Sequence, residues 1–79
     1  MEKEDLQILL KNVLNQLGGS APIMEVFKKF YEMYGKNLDK NEDLFYTWNY
    51  DIRWAATELR KKHIMKPINL SPRGVWELF

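Results

Sequence analysis

The feature that most constrains this chain is a change of hydrophobic period at His63. Ahead of it, apolar residues recur at helical spacing. Beyond it they fall into the short blocks Ile64-Met65 and Val75-Trp76, separated by Pro67, Pro72 and Gly74. A period near 3.6 that gives way to brief apolar blocks with Pro/Gly punctuation predicts helices first and a small β element last. With only 79 residues and no cysteine, the domain cannot lean on disulfides or a thiolate metal site. A chain of this size buries roughly 60% of its unfolded surface, so the 11 aromatic side chains must supply much of the core.

Three helical segments are expected. Leu6, Leu9, Leu10, Val13, Leu14 and Leu17 form one stripe over Asp5–Leu17, ended by Gly18-Gly19. Ser20 reads as an N-cap and Pro22 as a first-turn residue for a second helix over about 21–34, with Ile23, Val26, Phe27, Phe30 and Tyr34 inward. Asp39 and Glu42 have capping-box spacing, which predicts a third helix from near residue 40 to Lys62, with a break around Tyr46–Asn49. On it, Trp48, Ile52, Ala55, Ala56 and Leu59 face the core, and Tyr50, Arg53, Thr57, Arg60 and Lys61 face out. Two strands, around Ile64–Ile68 and Val75–Phe79, are expected to form a hairpin. The sum is a single domain over 1–79, mainly α with a small β-hairpin: a winged helix with a three-helix core and a C-terminal wing.

Charge is unevenly distributed. Residues 1–52 carry six Lys against nine acids, or −3, while residues 53–79 carry six cations against Glu58 and Glu77, or +4. A basic C-terminal third suits a polyanionic partner. The longest apolar runs are three residues, and the start Met-Glu-Lys-Glu-Asp is unlike a signal peptide, so a cytoplasmic protein without a membrane partner is expected.

Catalytic chemistry finds little support. His63 is the single histidine, so no His-His or His-Cys ligand set is available. Asp39-x-Asn41-x-Asp43 opens like a calcium loop, but Leu44 stands where glycine is required and Tyr50 where the closing Glu belongs. Gly18-Gly19 lacks the spacing and lysine of a phosphate loop. No enzyme, cofactor or metal is expected.

The segments Arg53-Trp54-Ala55-Ala56-Thr57-Glu58-Leu59-Arg60-Lys61-Lys62-His63-Ile64 and Pro72-Arg73-Gly74-Val75-Trp76-Glu77-Leu78 resemble the N-terminal winged-helix domain of Mrr-type restriction endonucleases. The resemblance implies a non-catalytic DNA-binding module of a restriction or defence-related system, directing a fused or separate nuclease to its target. Carried over by position, double-stranded DNA would be met by Tyr50, Arg53, Thr57, Arg60 and Lys61 in the major groove, and by Lys66 and Arg73 at the wing. His63 stands where that family has Gly, so it is expected to adopt positive φ. The segment from Lys66 to Arg73 is longer than the family's turn, and 79 residues leave no room for a nuclease domain.

Two other readings stay open. The basic face is also what an ordinary solvated helix with a Glu58–Lys62 pair would show. A winged helix can equally serve as a protein-interaction or homodimerisation module, which the acidic first two-thirds and the aromatics Tyr31, Tyr46 and Trp54 would suit. Trp54 itself is expected to pack against the wing or the first helix. If four cations met phosphates, log K would fall with log salt at a slope of about −3.6.

Overall fold

A computed structural model describes all of residues 1–79. Helix α1 (Asp5–Gln16) leads into strand β1 (Ser20–Pro22), then α2 (Ile23–Tyr34), a short 3-10 turn (Gly35–Asn37), α3 (Leu44–Lys61), a second 3-10 turn (Ile68–Leu70) and strand β2 (Val75–Glu77). The arrangement is winged-helix-like: three helices around one core, with a small antiparallel sheet at one side. No helix is long and apolar enough to cross a membrane.

The core is where the helical stripes meet. Leu6, Leu10, Val13 and Leu14 of α1, Val26 and Phe30 of α2, and Ile52, Ala55 and Ala56 of α3 have no solvent exposure. The two alanines lie on the stripe of α3 that faces the core, where small side chains let a helix approach its neighbours closely. Phe30 stacks on Trp48 at 5.1 Å and 14°, and Phe27 meets both Trp48 and Trp76 edge-on at 5.9 Å. This aromatic ladder ties α2 to α3 and to the sheet. Trp54 is half-buried at the edge of the core, with the Lys3 ammonium 4.6 Å from its ring centre, so it packs toward the entry to α1.

Both expected terminators act through positive φ. Gly18 and Gly19 adopt φ +84° and +93°, and the Gly19 N–H reaches the Leu14 carbonyl at 2.7 Å. His63 adopts φ +60° at the end of α3. There the His63 N–H bonds to the Arg60 carbonyl and the Ile64 N–H to the Leu59 carbonyl, the pair of bonds that defines a Schellman cap.

Three expectations about the elements need correction. Ser20 and Pro22 are not the cap and first turn of α2: Ser20–Pro22 is extended and pairs with β2, Ser20 opposite Glu77, Ala21 opposite Trp76 and Pro22 opposite Val75. Pro22 sits at the end of that strand, where its missing N–H costs no ladder bond, and its extended ψ of 146° launches α2 at Ile23. Helix α3 runs without a break over Leu44–Lys61, and it starts later than near residue 40 because the Asp39 carboxylate accepts the Asn41 N–H at 2.9 Å and holds a turn instead of capping a helix.

The hairpin is also smaller than expected. Residues 64–68 contribute one bridge, Met65 opposite Leu78, flanked by bonds from Lys66 N–H to the Glu77 carbonyl and from Phe79 N–H to the Ile64 carbonyl. Pro67 cannot donate to a ladder, and the 3-10 turn that follows carries the chain away from β2. The principal partner of β2 is therefore β1, some 55 residues earlier in the chain.

Candidate nucleic-acid interface

The outward face of α3 and the segment before β2 enclose a cleft of about 500 Å³. From α3 it takes Arg53, Thr57 and Arg60, spaced i, i+4 and i+7 and so aligned on one face. From the wing it takes the stretch Ser71–Trp76 together with Ile68 and Asn69, and from the start of α2 it takes Ile23. Local backbone chemistry fixes the wing wall. The Val75 N–H closes a turn on the Pro72 carbonyl at 3.1 Å, with Gly74 at φ +76° in its third position, where that sign of φ favours glycine. The Gly74 carbonyl then accepts the Ile23 N–H at 3.0 Å, which pins the turn bearing Arg73 against the head of α2.

Three guanidinium groups line this space and no carboxylate does. All five ion pairs in the molecule are made by lysine: Lys3–Asp51, Lys28–Glu25, Lys29–Glu32, Lys61–Glu58 and Lys66–Glu77. None of Arg53, Arg60 or Arg73 is in one. Two of the three rest on aromatic rings instead, Arg53 at 5.1 Å from the Phe27 ring centre and Arg60 at 5.9 Å from that of Trp76. Such contacts are worth about 0.5–1 kcal/mol at exposed sites.

Arg60 is the most constrained of the set. Burial with no acid beside it holds its pKa below the ordinary guanidinium value. Its Nε is buried without a hydrogen-bond partner, and so is the Ser71 hydroxyl oxygen across the same cleft. A buried polar group left unpaired costs about 1–3 kcal/mol, and more when it is charged. The two groups are the only buried side-chain polar atoms in the molecule without a partner.

The seven residues picked from the sequence thus divide. Arg53, Thr57, Arg60 and Arg73 come together in the cleft. Tyr50 lies outside it, one turn before Arg53, and is 78% exposed. Lys61 is turned to Glu58 at 3.6 Å and Lys66 to Glu77 at 3.8 Å, so neither lines the cleft. The anticipated Glu58–Lys62 pair does not form, because Lys62 reaches back to the Gln7 side-chain oxygen on α1. Thr57 spends its hydroxyl proton on the Arg53 carbonyl at 3.2 Å.

Residues that the sequence reading passed over are Ser71, whose hydroxyl lacks a partner, and Phe27 and Trp76 as supports for the arginines. Their signal is tertiary, since Phe27 and Trp76 meet only when β2 pairs beside α2. A second, smaller groove of about 360 Å³ lies between the start of α1 and the end of α2, lined by Met1, Asp5, Ile8, Leu9, Tyr34 and Asn37. No group of three or more His, Cys, Asp or Glu side chains is placed to hold a metal ion.

No family model, no curated protein and no solved structure matches this chain.

Proposed function

We propose that this domain binds double-stranded DNA through α3 and the wing, with the arginine-lined cleft as the centre of contact. The observation that carries this reading is the setting of the arginines: five lysines, Lys61 and Lys66 beside the cleft among them, are paired with carboxylates, whereas Arg53, Arg60 and Arg73 are in no ion pair and share one acid-free cleft. A guanidinium matches phosphate oxygens or the O6 and N7 edge of guanine with paired N–H groups. Helix α3 enters the major groove with Tyr50 and Arg53 leading, Thr57 offers its methyl group, and Arg73 sits on the backbone beside it. Lys61 and Lys66 add charge at the rim only after leaving Glu58 and Glu77.

The resemblance at Arg53–Ile64 and Pro72–Leu78 supplies the setting of a restriction or defence-related system, in which a fused or separate nuclease would be directed by this domain. That part of the proposal is carried by those residues alone. Three free guanidinium groups make for weak binding by one copy, and a homodimer or a fused domain would raise the affinity by avidity.

The test is titration with short duplexes, methylated and unmethylated, at two salt concentrations while amide shifts are recorded. Three phosphate contacts give a slope of log K against log salt of about −2.7. Arg53→Ala with Arg60→Ala should leave the fold in place, bring the slope to about −0.9 and remove the shifts on α3. A slope near zero for the unaltered protein would sink the proposal.

A second reading, a protein-interaction module, is favoured by the groove between α1 and α2, where Ile8 is 66% exposed beside Leu9 and Tyr34. Sedimentation of Ile8→Glu against the unaltered chain decides it: a dimer broken by the substitution would place the interface there.

A further inference from the structure

Beyond general contact with a DNA backbone, the geometry points to a seat for a single phosphate monoester in the cleft between α3 and the wing, filled by the phosphorylated end of a nucleic-acid strand. The inference rests on the nucleic-acid reading only in naming a strand end as the source of the phosphate. Its own support is the convergence of three features at one place.

The first is charge. Arg53, Arg60 and Arg73 line one cleft with no carboxylate among its walls, while the cations just outside it, Lys61 and Lys66, are held by Glu58 and Glu77. A running strand presents a row of singly charged phosphodiesters and is best met by a track of free cations along a surface. Here all three arginines of the chain are gathered at one cleft. A phosphate monoester carries roughly −1.5 to −2 near neutral pH and three acceptor oxygens, which matches several donors converging on one group.

The second feature is the pair of unpartnered polar atoms. Arg60 Nε and the Ser71 hydroxyl are both buried, both lack a hydrogen-bond partner, and both belong to residues that line this cleft. Buried donors are nearly always satisfied in folded proteins, so two unsatisfied ones at one site mark a place where an acceptor belongs. Thr57, its proton already given to the Arg53 carbonyl, is not part of the seat.

The third is shape. The cleft is concave, about 500 Å³, and walled by the turn that the bond from Ile23 N–H to the Gly74 carbonyl holds in place. A terminal phosphate with its sugar can enter such a recess from one side. Arg53 lies over the Phe27 ring and Arg60 over the Trp76 ring, which holds both guanidinium groups at the cleft before anything binds.

The decisive experiment uses the full chain and one duplex sequence carrying 5′-phosphate, 3′-phosphate or hydroxyl at both ends, with thymidine 5′-monophosphate and thymidine as small probes. One of the phosphorylated duplexes should bind at least about tenfold more tightly than the hydroxyl-ended one. Ser71→Ala should erase that advantage, change binding of the hydroxyl-ended duplex by less than about twofold, and leave thermal stability unreduced, because the hydroxyl it removes has no partner. Equal affinity for all three duplexes overturns the seat and leaves the DNA reading standing, as does an advantage that survives in Ser71→Ala. If no duplex binds, the DNA reading fails. In that case amide shifts at Ser71, Arg73 and Gly74 with thymidine 5′-monophosphate but not thymidine keep the phosphate seat and overturn the strand end as its source, and their absence overturns both.

Discussion

The interior between α1, α2 and α3 and the cleft between α3 and the wing are built from opposite choices. In the interior no polar or charged residue is buried, and aromatic and aliphatic side chains meet in stacked and edge-on contacts. In the cleft, two guanidinium groups lie over aromatic rings, no acid is among the walls, and two buried polar atoms go without partners. The first arrangement maximises stability for a chain too short to waste apolar area. The second holds back hydrogen-bonding capacity that folding alone would have used. Helix α3 belongs to both, with Ile52, Ala55 and Leu59 on one side and Arg53, Thr57 and Arg60 on the other.

The largest effect that would test this division falls in the interior. Phe30 has no solvent exposure and stacks on Trp48 at 5.1 Å. Phe30→Ala removes the ring and leaves a cavity, at a cost of about 3–5 kcal/mol. For a small domain that is a large share of the total, so urea unfolding should show a midpoint near zero or a chain largely unfolded in water. A loss below about 1 kcal/mol would mean that the aromatic ladder is peripheral and that α1 and α3 hold the fold alone.

The cleft should respond in the other direction. Arg60→Met keeps the length of the side chain over Trp76 while removing the buried Nε and the charge. Taking away an unpaired buried donor should leave stability unchanged or raise it by about 1 kcal/mol, even though the cation–π contact is lost. DNA affinity should fall at the same time, with the salt slope shallower by about 0.9. The pair of measurements is more informative than either alone. A variant that loses stability and binding together would make Arg60 a structural residue, and the contrast between interior and cleft would fail at its centre.

Much of the interior was legible in the sequence because it is written locally. The stripes Leu6–Leu17 and Ile23–Tyr34 repeat within a few turns, and each terminator, Gly18-Gly19 and His63, acts on the helix it directly follows. Strand β1 was not legible. Ser20 and Pro22 carry the chemistry of a helix start, and what makes them a strand is Glu77 and Val75, far along the chain. The late start of α3 has a similar origin, in a carboxylate at Asp39 that could serve either a helix cap or the turn it actually closes. In the cleft, the helical spacing of Arg53, Thr57 and Arg60 put them on one face, and the Arg73-Gly74 turn marked the opposite wall. Sequence spacing could not separate free cations from paired ones, because the partner of Lys66 lies across a β-bridge and Lys62 chooses Gln7 on another helix.

That separation also sets the smallest prediction. Lys66 is half-buried, 3.8 Å from the Glu77 carboxylate, and outside the cleft, although its position beside the wing made it a natural phosphate contact. If cations already held by carboxylates contribute little to binding, Lys66→Ala should change DNA affinity by less than about twofold and leave the salt slope within about 0.3 of the unaltered protein, against a change of about 0.9 for each free arginine. The stability change should be similarly small, since a partly exposed ion pair is worth about 0–1 kcal/mol. A full step of 0.9 in the slope on losing Lys66 would show instead that Lys66 leaves Glu77 to meet phosphate. The acid-free cleft would then be the centre of a wider basic surface that re-pairs on binding, and the boundary drawn between free and paired cations would have to move outward to the wing.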